Sequence, residues 1–180
     1  QLIPEKRRIY CVCRLDLETE GLVLLTNDGE MTNLLTHPRY GVPKTYMAKV
    51  DGEIGEVQVK KLQRGVHLAE GRTQGAQVRV RKRSRKGSLI EMTISEGLNR
   101  QVRRMLAAVG LKVRRLKRVR VGPITAGGMP VGGWRKLTKE EVDALLRAAE
   151  NARKVSEQPE AAKKPPRPWQ EKQHEEDKEE

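Results

Sequence analysis

The chain has 180 residues and carries 37 Lys and Arg against 24 Asp and Glu, a formal net charge of +13. Its hydrophobic content is 36%, with no Phe, two Trp and three Tyr, which predicts a single domain with a modest, aliphatic core. No run approaches the roughly 20 apolar residues of a membrane-spanning helix. The basic surplus favours a polyanion as the partner, and it does not distinguish an enzyme from a structural binding protein.

The two cysteines, Cys11 and Cys13, are too few for a disulfide framework and poorly spaced for a zinc site. Residues two apart in a strand point to the same face, so we interpret the pair as packing and expect no metal. No signal peptide opens the sequence, and we expect a cytoplasmic protein. The first residue is Gln, which indicates a fragment or a processed product.

The composition changes near Ala148. Residues 151–180 contain several prolines, 7 basic and 8 acidic residues, and almost no aliphatic side chains. Such a segment cannot bury enough apolar surface to offset its ordering entropy, so we predict a folded domain over 1–150 and a disordered tail over 151–180. The whole positive surplus therefore belongs to the folded domain.

The apolar spacing predicts, in chain order, a strand over 22–26, a helix over 30–36, a strand over 45–50 and a helix over 56–63. An Asn-Asp-Gly turn closes the first strand, and a His-Pro pair ends the first helix. Gly65 ends the second helix. These elements already mix strands and helices without the regular spacing of parallel βαβ units.

Two further strands are predicted over 76–81 and 90–94, where apolar and polar residues alternate. The alternation is typical of half-buried antiparallel strands, here with a polar or basic outer face. The loop between them, KRSRKG at 82–87, is a basic tip.

Two helices complete the domain. Asn99 is predicted to cap a helix that runs to Val109, with Gly110 in the stop position. Thr138 and Glu141 form a capping box at the start of the last helix. The whole order predicts an α+β fold, with a mostly antiparallel mixed sheet flanked by helices.

The first segment that could carry chemistry is RLDLETEGLVLLTNDG at 14–29. Asp16 lies in its polar part, where a loop can present a carboxylate at the edge of the sheet. Glu18 and Glu20 follow at two-residue spacing. Three acids in a loop are ordinarily a solvated surface, so the residues alone leave a catalytic carboxylate and a plain surface loop both open.

The second and third segments are KTY at 44–46 and the helix after Asn99. Tyr46 opens a strand, where a tyrosine is ordinarily half-buried packing. At about 100° per residue, the helix has a buried stripe formed by Val102, Met105, Leu106 and Val109. Arg103 lies about 60° from Leu106, at the border of this stripe, and is the arginine best placed to pair with a buried carboxylate.

These three segments together resemble the motifs of the RsuA/RluB-type rRNA pseudouridine synthases. The resemblance extends over roughly residues 7–147, and VRRLKRVRVGPI and GGWRKLTKEEV resemble RluB-like members that modify large-subunit rRNA. It implies that Asp16 holds the nucleophile position, that Tyr46 lies against the target base, and that Arg103 pairs with the nucleophile. It also implies conversion of a specific uridine to pseudouridine with no metal and no organic cofactor.

The sequence departs from the family pattern in three places. Cys11 and Cys13 replace a common proline and glycine, and Leu98 stands where arginine is frequent, so one RNA contact is expected to be missing. Members usually carry an N-terminal S4 RNA-binding domain and an early strand of the catalytic sheet, and neither is in these residues. We therefore expect part of the catalytic domain to be missing and RNA binding to be weak and salt-dependent.

Eleven basic residues are predicted to contact RNA, mainly at phosphates: Arg14, Lys44, Arg79, Arg81, Lys82, Arg83, Arg85, Arg100, Arg104, Arg118 and Arg120. For Arg100 and Arg104, solvated surface stays open as the alternative. We expect a monomer whose partner is ribosomal RNA, with no membrane contact. The main alternative function is a non-catalytic rRNA-binding or ribosome-assembly protein that uses the same basic faces.

Overall fold

The computed structural model describes residues 3, 7–37 and 40–157 of the chain. Its helices are α1 (Gly29–Thr36), α2 (Glu56–Arg64), α3 (Gln101–Ala108) and α4 (Lys139–Glu157). Its strands are β1 (Tyr10–Val12), β2 (Thr19–Gly21), β3 (Leu24–Thr26), β4 (Lys44–Asp51), β5 (His67–Leu68), β6 (Gly71–Arg72), β7 (Gln77–Lys82), β8 (Gly87–Ile94), β9 (Val113–Val121) and β10 (Ile124–Thr125). The predicted strands and helices are all represented among these elements.

A six-stranded sheet organises the domain, with the order β10-β9-β4-β8-β7 and with β2 also paired to β9. Every pairing in it is antiparallel except the one between β2 and β9, which is parallel. The pairs β1-β3 and β5-β6 form two small additional sheets. The predicted α+β class and mostly antiparallel mixed sheet are therefore confirmed.

Two aliphatic cores hold the helices against the strands. The larger one lies between the central sheet and helices α2 and α3, and includes Ile90, Met92 and Met105. The smaller one joins α1 and α4 to the strands near β1 and β10, and includes Leu35 and Leu145. Burying each such side chain contributes roughly 1.5–3 kcal/mol, so these clusters supply the main driving force for folding.

The strand predicted over 22–26 is shorter in the structure, where residues 19–21 form the separate strand β2, paired in parallel with β9. The strand begins only at Leu24, because the backbone N–H of Leu22 donates to the carbonyl oxygen of Arg118 on β9 at 2.8 Å. Gly21 has a φ of +116°, and a Cβ there would lie 2.1 Å from the same Arg118 carbonyl oxygen. Only glycine allows this close approach of the two backbones.

Of the two predicted helix N-caps, the one on α4 is present and the one on α3 is not. The capping box of α4 is confirmed, since Thr138 N–H donates to Glu141 and Glu141 N–H donates to the Thr138 hydroxyl. Asn99 does not cap α3. The N-cap residue is Arg100, with a φ of 47° and no side-chain cap bond, because a turn from Leu98 to Gln101 places Asn99 one residue too early.

Helix α4 also corrects the predicted tail. It continues to Glu157, seven residues past the boundary predicted at 150, so 151–157 are helical. The remainder of the predicted tail, 158–180, lies outside the described residues.

None of the helices in the described part of the chain is both long enough and apolar enough to cross a lipid bilayer.

Candidate active site

A cavity of about 410 Å³ opens where the loop after β1, the start of β4, the middle of β9 and the loop before α3 meet. This volume is in the range of pockets that enclose a small ligand. The predicted site residues that line it are Arg14, Asp16, Lys44, Tyr46, Arg100 and Arg118. Segments more than a hundred residues apart in sequence are thus brought to one place by the sheet.

Asp16 and Arg103 face each other beside this cavity. The Arg103 Nε lies 3.8 Å from Asp16 Oδ2, and the two side chains are 12% and 21% exposed. At this distance the contact is an ion pair without a hydrogen bond. The other carboxylate oxygen, Asp16 Oδ1, is buried and has no hydrogen-bond partner among the described residues. The site therefore contains a buried carboxylate oxygen that forms no hydrogen bond with the described residues.

Arg103 is itself fixed by the loop that carries Asp16. Its Nη2 donates to the backbone carbonyl of Glu18 at 2.6 Å, and the Asp16 carbonyl accepts from Thr19 N–H at 3.1 Å. One guanidinium thus contacts both the backbone and the carboxylate of the same loop. The structure thus places Arg103 of α3 next to Asp16.

Glu18 forms a second ion pair at the rim of the cavity. Its carboxylate accepts from Arg100 Nη2 at 2.7 Å and lies 3.8 Å from Arg103 Nε. The hydrogen bond and charge of Arg100, followed by the charge of Arg103, lower the pKa of this exposed carboxyl. Arg100, predicted as a phosphate contact or solvated surface, is engaged with Glu18 in this structure.

Tyr46 lies on β4 with its side chain toward the cavity and against the larger core. Burial raises the pKa of its phenol, and the nearby Arg118 guanidinium opposes this effect in part. The phenol is therefore neutral across the physiological range. Its ring is placed as a wall of the cavity.

Lys44, predicted as an RNA contact, is buried in this structure and lies apart from the exposed basic surface. Its ammonium donates to the Val42 carbonyl at 3.0 Å. Burial is the main cause that lowers the pKa of this ammonium. The side chain lines the cavity from inside, because even-numbered residues of β4 point to that face of the sheet.

Arg118 was predicted to contact phosphates, but the residue is only 1% exposed to solvent, so this prediction is wrong. Its Nε donates to the Leu22 carbonyl at 2.8 Å and its Nη2 to the Cys13 carbonyl at 2.5 Å. These two carbonyls lie before and after the segment that carries Asp16. Arg118 therefore ties the two ends of the Asp16 loop to the central sheet.

Three cavity residues had no role assigned from the sequence. Thr19 has a buried hydroxyl with no hydrogen-bond partner among the described residues. The Gln101 amide donates to Glu96, whose carboxylate also accepts from the backbone N–H of Gln74 at 3.0 Å. This bonding shapes the loop before α3. Thr19 lies in the segment 14–29 that contains Asp16, and Gln101 lies at the start of the helix that contains Arg103, so their neighbourhood was the available signal in the sequence.

The other predicted RNA contacts lie away from the cavity. Arg104 bonds to Glu70 on the outer side of α3. Exposed Lys82, Arg83 and Arg85 occupy the end of β7 and the turn to β8. The three remaining side chains, Arg79, Arg81 and Arg120, line a separate small cavity.

No cluster of three or more His, Cys, Asp or Glu side chains suited to holding a metal ion occurs in the residues that the structure describes.

Residues 1–108 match the family model described as RNA pseudouridylate synthase. The chain belongs to this family. It is 44% identical over 153 residues to the ribosomal large subunit pseudouridine synthase B of Bacillus subtilis, covering 84% of this chain and 62% of that protein. It is 42% identical over 146 residues to an uncharacterized RNA pseudouridine synthase of Aquifex aeolicus, covering 81% of this chain and 58% of that one.

A solved crystal structure of a pseudouridylate synthase has the same fold, with a TM-score of 0.71 at 32% identity. The match covers 76% of this chain and 59% of that one. The chain therefore spans about three-fifths of the length of these relatives. The family and its fold are established for the matched part.

Proposed function

We propose that this chain is the catalytic part of an rRNA pseudouridine synthase that isomerises one uridine of large-subunit ribosomal RNA. The observation that carries the proposal is the buried Asp16 oxygen without a partner, at a cavity of ligand size and beside Arg103. The similarity to a ribosomal large subunit pseudouridine synthase B supports the substrate class. The net charge of +13 supports a polyanionic partner.

The reaction fits a site of this composition. The N1–C1′ bond of uridine breaks, the uracil turns, and C5 forms the new bond to C1′. The proton on C5 is then lost and N1 gains one. Because product and substrate are isomers, the conversion consumes no oxidant and no second substrate. A carboxylate is a suitable group for chemistry at an anomeric carbon, whether Asp16 attacks C1′ or first removes a proton from the sugar.

Each of the neighbouring side chains has a role in this proposal. Arg103 orients Asp16 through the charge that faces the carboxylate and through its hydrogen bond to the Glu18 carbonyl. Tyr46 provides an aromatic face on which a uracil extruded from the RNA can stack. Exposed Arg14 contacts phosphates at the mouth of the cavity. We further propose that the protein acts as a monomer in the cytoplasm.

The function is tested by incubating the purified chain with transcripts of large-subunit rRNA fragments. Digestion to nucleosides followed by liquid chromatography should show pseudouridine appearing as uridine disappears. A fragment that carries 5-fluorouridine should form a stable protein adduct or a hydrated base. RNA binding without either product would contradict the proposal and favour the non-catalytic alternative.

The role of Tyr46 is tested by comparing two substitutions. Tyr46→Phe should retain the fold and much of the activity, because stacking needs the ring. Tyr46→Ala should lose roughly ten- to a hundredfold more, since base–aromatic stacking contributes about 1–3 kcal/mol. The measurement is kcat and KM on an rRNA fragment. Equal losses in the two variants would indicate that the hydroxyl or packing, and not stacking, is what matters.

A further inference from the structure

The central sheet has a second face that points away from the cavity. Successive residues of a strand alternate between the two faces. Tyr46 and Ile94 line the cavity, so their neighbours Thr45 and Thr93 point to the opposite side. We call this side the reverse face. It is formed by Thr45, Met47 and Lys49 of β4, Gln77, Arg79 and Arg81 of β7, Leu89, Glu91 and Thr93 of β8, and Arg115, Lys117 and Arg120 of β9.

The reverse face is strongly basic. Its exposed cations are Lys49, Arg79, Arg81, Arg115, Lys117 and Arg120. Two acids oppose them, and each is bound to one arginine: Glu91 to Arg81 on the face itself, and Glu20 to Arg115 at its β2 edge. In the part of the chain that the structure describes, Arg79 and Arg120 have no carboxylate partner. A surplus of positive charge is therefore left on one open surface.

A small cavity of about 110 Å³ lies within this face. At its floor the hydroxyls of Thr45 and Thr93 are hydrogen-bonded to each other at 2.9 Å. Its walls include Gln77, Arg79 and Arg120, and also Glu91, whose carboxylate is paired with Arg81. Arginine, threonine and glutamine side chains are the groups that contact phosphate oxygens in nucleic-acid complexes. The cavity thus offers donors of the right kind in a concave setting.

We propose that the reverse face is a second RNA-binding surface, which holds backbone phosphates of a segment other than the one that enters the catalytic cavity. The choice of RNA as the occupant rests on the proposed function. A bound RNA must then pass around the edge of the sheet to reach both faces. A folded fragment with flanking sequence can do this, and an oligonucleotide that only fills the cavity cannot.

The test compares the parent chain with the double variant Arg79→Gln/Arg120→Gln in binding a short uridine-containing oligonucleotide and a long folded rRNA fragment. Losing two phosphate contacts should weaken binding of the long fragment about tenfold near 0.1 M salt. It should also reduce the slope of log K against log salt by about 0.7–0.9 for each arginine. Binding of the short oligonucleotide should be unchanged. The control Lys139→Gln/Arg147→Gln removes the same charge from exposed positions on α4.

Each result decides the proposal. The proposal would be overturned if the Arg79→Gln/Arg120→Gln variant lost the same affinity for the long and the short RNA. It would also be overturned if this variant bound the long fragment as tightly as the α4 control variant does. The selective loss with the long fragment supports it. Formation of pseudouridine is measured separately on the parent chain. A parent that makes no pseudouridine while the reverse-face variant still loses affinity would contradict the proposed reaction and leave the second binding surface standing.

Discussion

Replacing Asp16 by Asn is expected to reduce pseudouridine formation by more than about 10³-fold, because the amide has no negative charge for chemistry at the sugar. The substitution preserves the shape of the side chain. RNA affinity and the melting temperature should therefore stay close to those of the parent. The initial rate on an rRNA fragment, measured with excess enzyme, gives the comparison directly.

The matched control for this variant is Asp143→Asn, which makes the same chemical change on helix α4, far along the chain from the loop. It should leave the rate unchanged. Turnover of Asp16→Asn within tenfold of the parent would remove Asp16 from the mechanism. A large loss in both variants would point to a general effect of the change in charge.

Replacing Arg103 by Met should lower kcat by about 10²–10³-fold, a change of about 3–4 kcal/mol in the activation barrier. The variant removes both the charge that faces Asp16 and the hydrogen bond to the Glu18 carbonyl. Arg103→Lys keeps the positive charge but cannot form the same planar contacts. It should recover part of the lost rate. KM should change less than kcat in both variants, because Arg103 is placed to act on Asp16.

The control for Arg103 is Arg147→Met, which removes an exposed arginine from α4. Thermal melting of all variants separates a lost interaction in the site from a loss of the fold. An Arg103→Met enzyme with a parental kcat and a raised KM would show that the residue binds RNA and does not position the nucleophile.

Local patterns in the sequence were sufficient for most of the secondary structure and for locating the segments that line the cavity. Alternation predicted the strands around Val78 and Met92, and helical spacing placed Arg103 at the inner border of α3. These predictions succeed because strand and helix periodicity depend only on neighbouring residues. The long match around Asp16 predicted which loop carries the carboxylate.

Tertiary structure decided which basic residues are buried and which face they use. In the strand VRRLKRVRV, regular alternation would place Arg118 and Arg120 on the face of Leu116, with Arg115 on the other face. An irregularity in the pairing with β4, between Thr45 and Tyr46, separates the two arginines, so that Arg120 lies opposite Thr45 while Arg118 lies opposite Tyr46 and donates to the carbonyls of Cys13 and Leu22. Those acceptors come from about a hundred residues earlier in the chain, so no sequence window contains both partners. The same pairing places Arg79 and Arg120 on one surface, since only the assembled sheet brings β7 and β9 onto a common face.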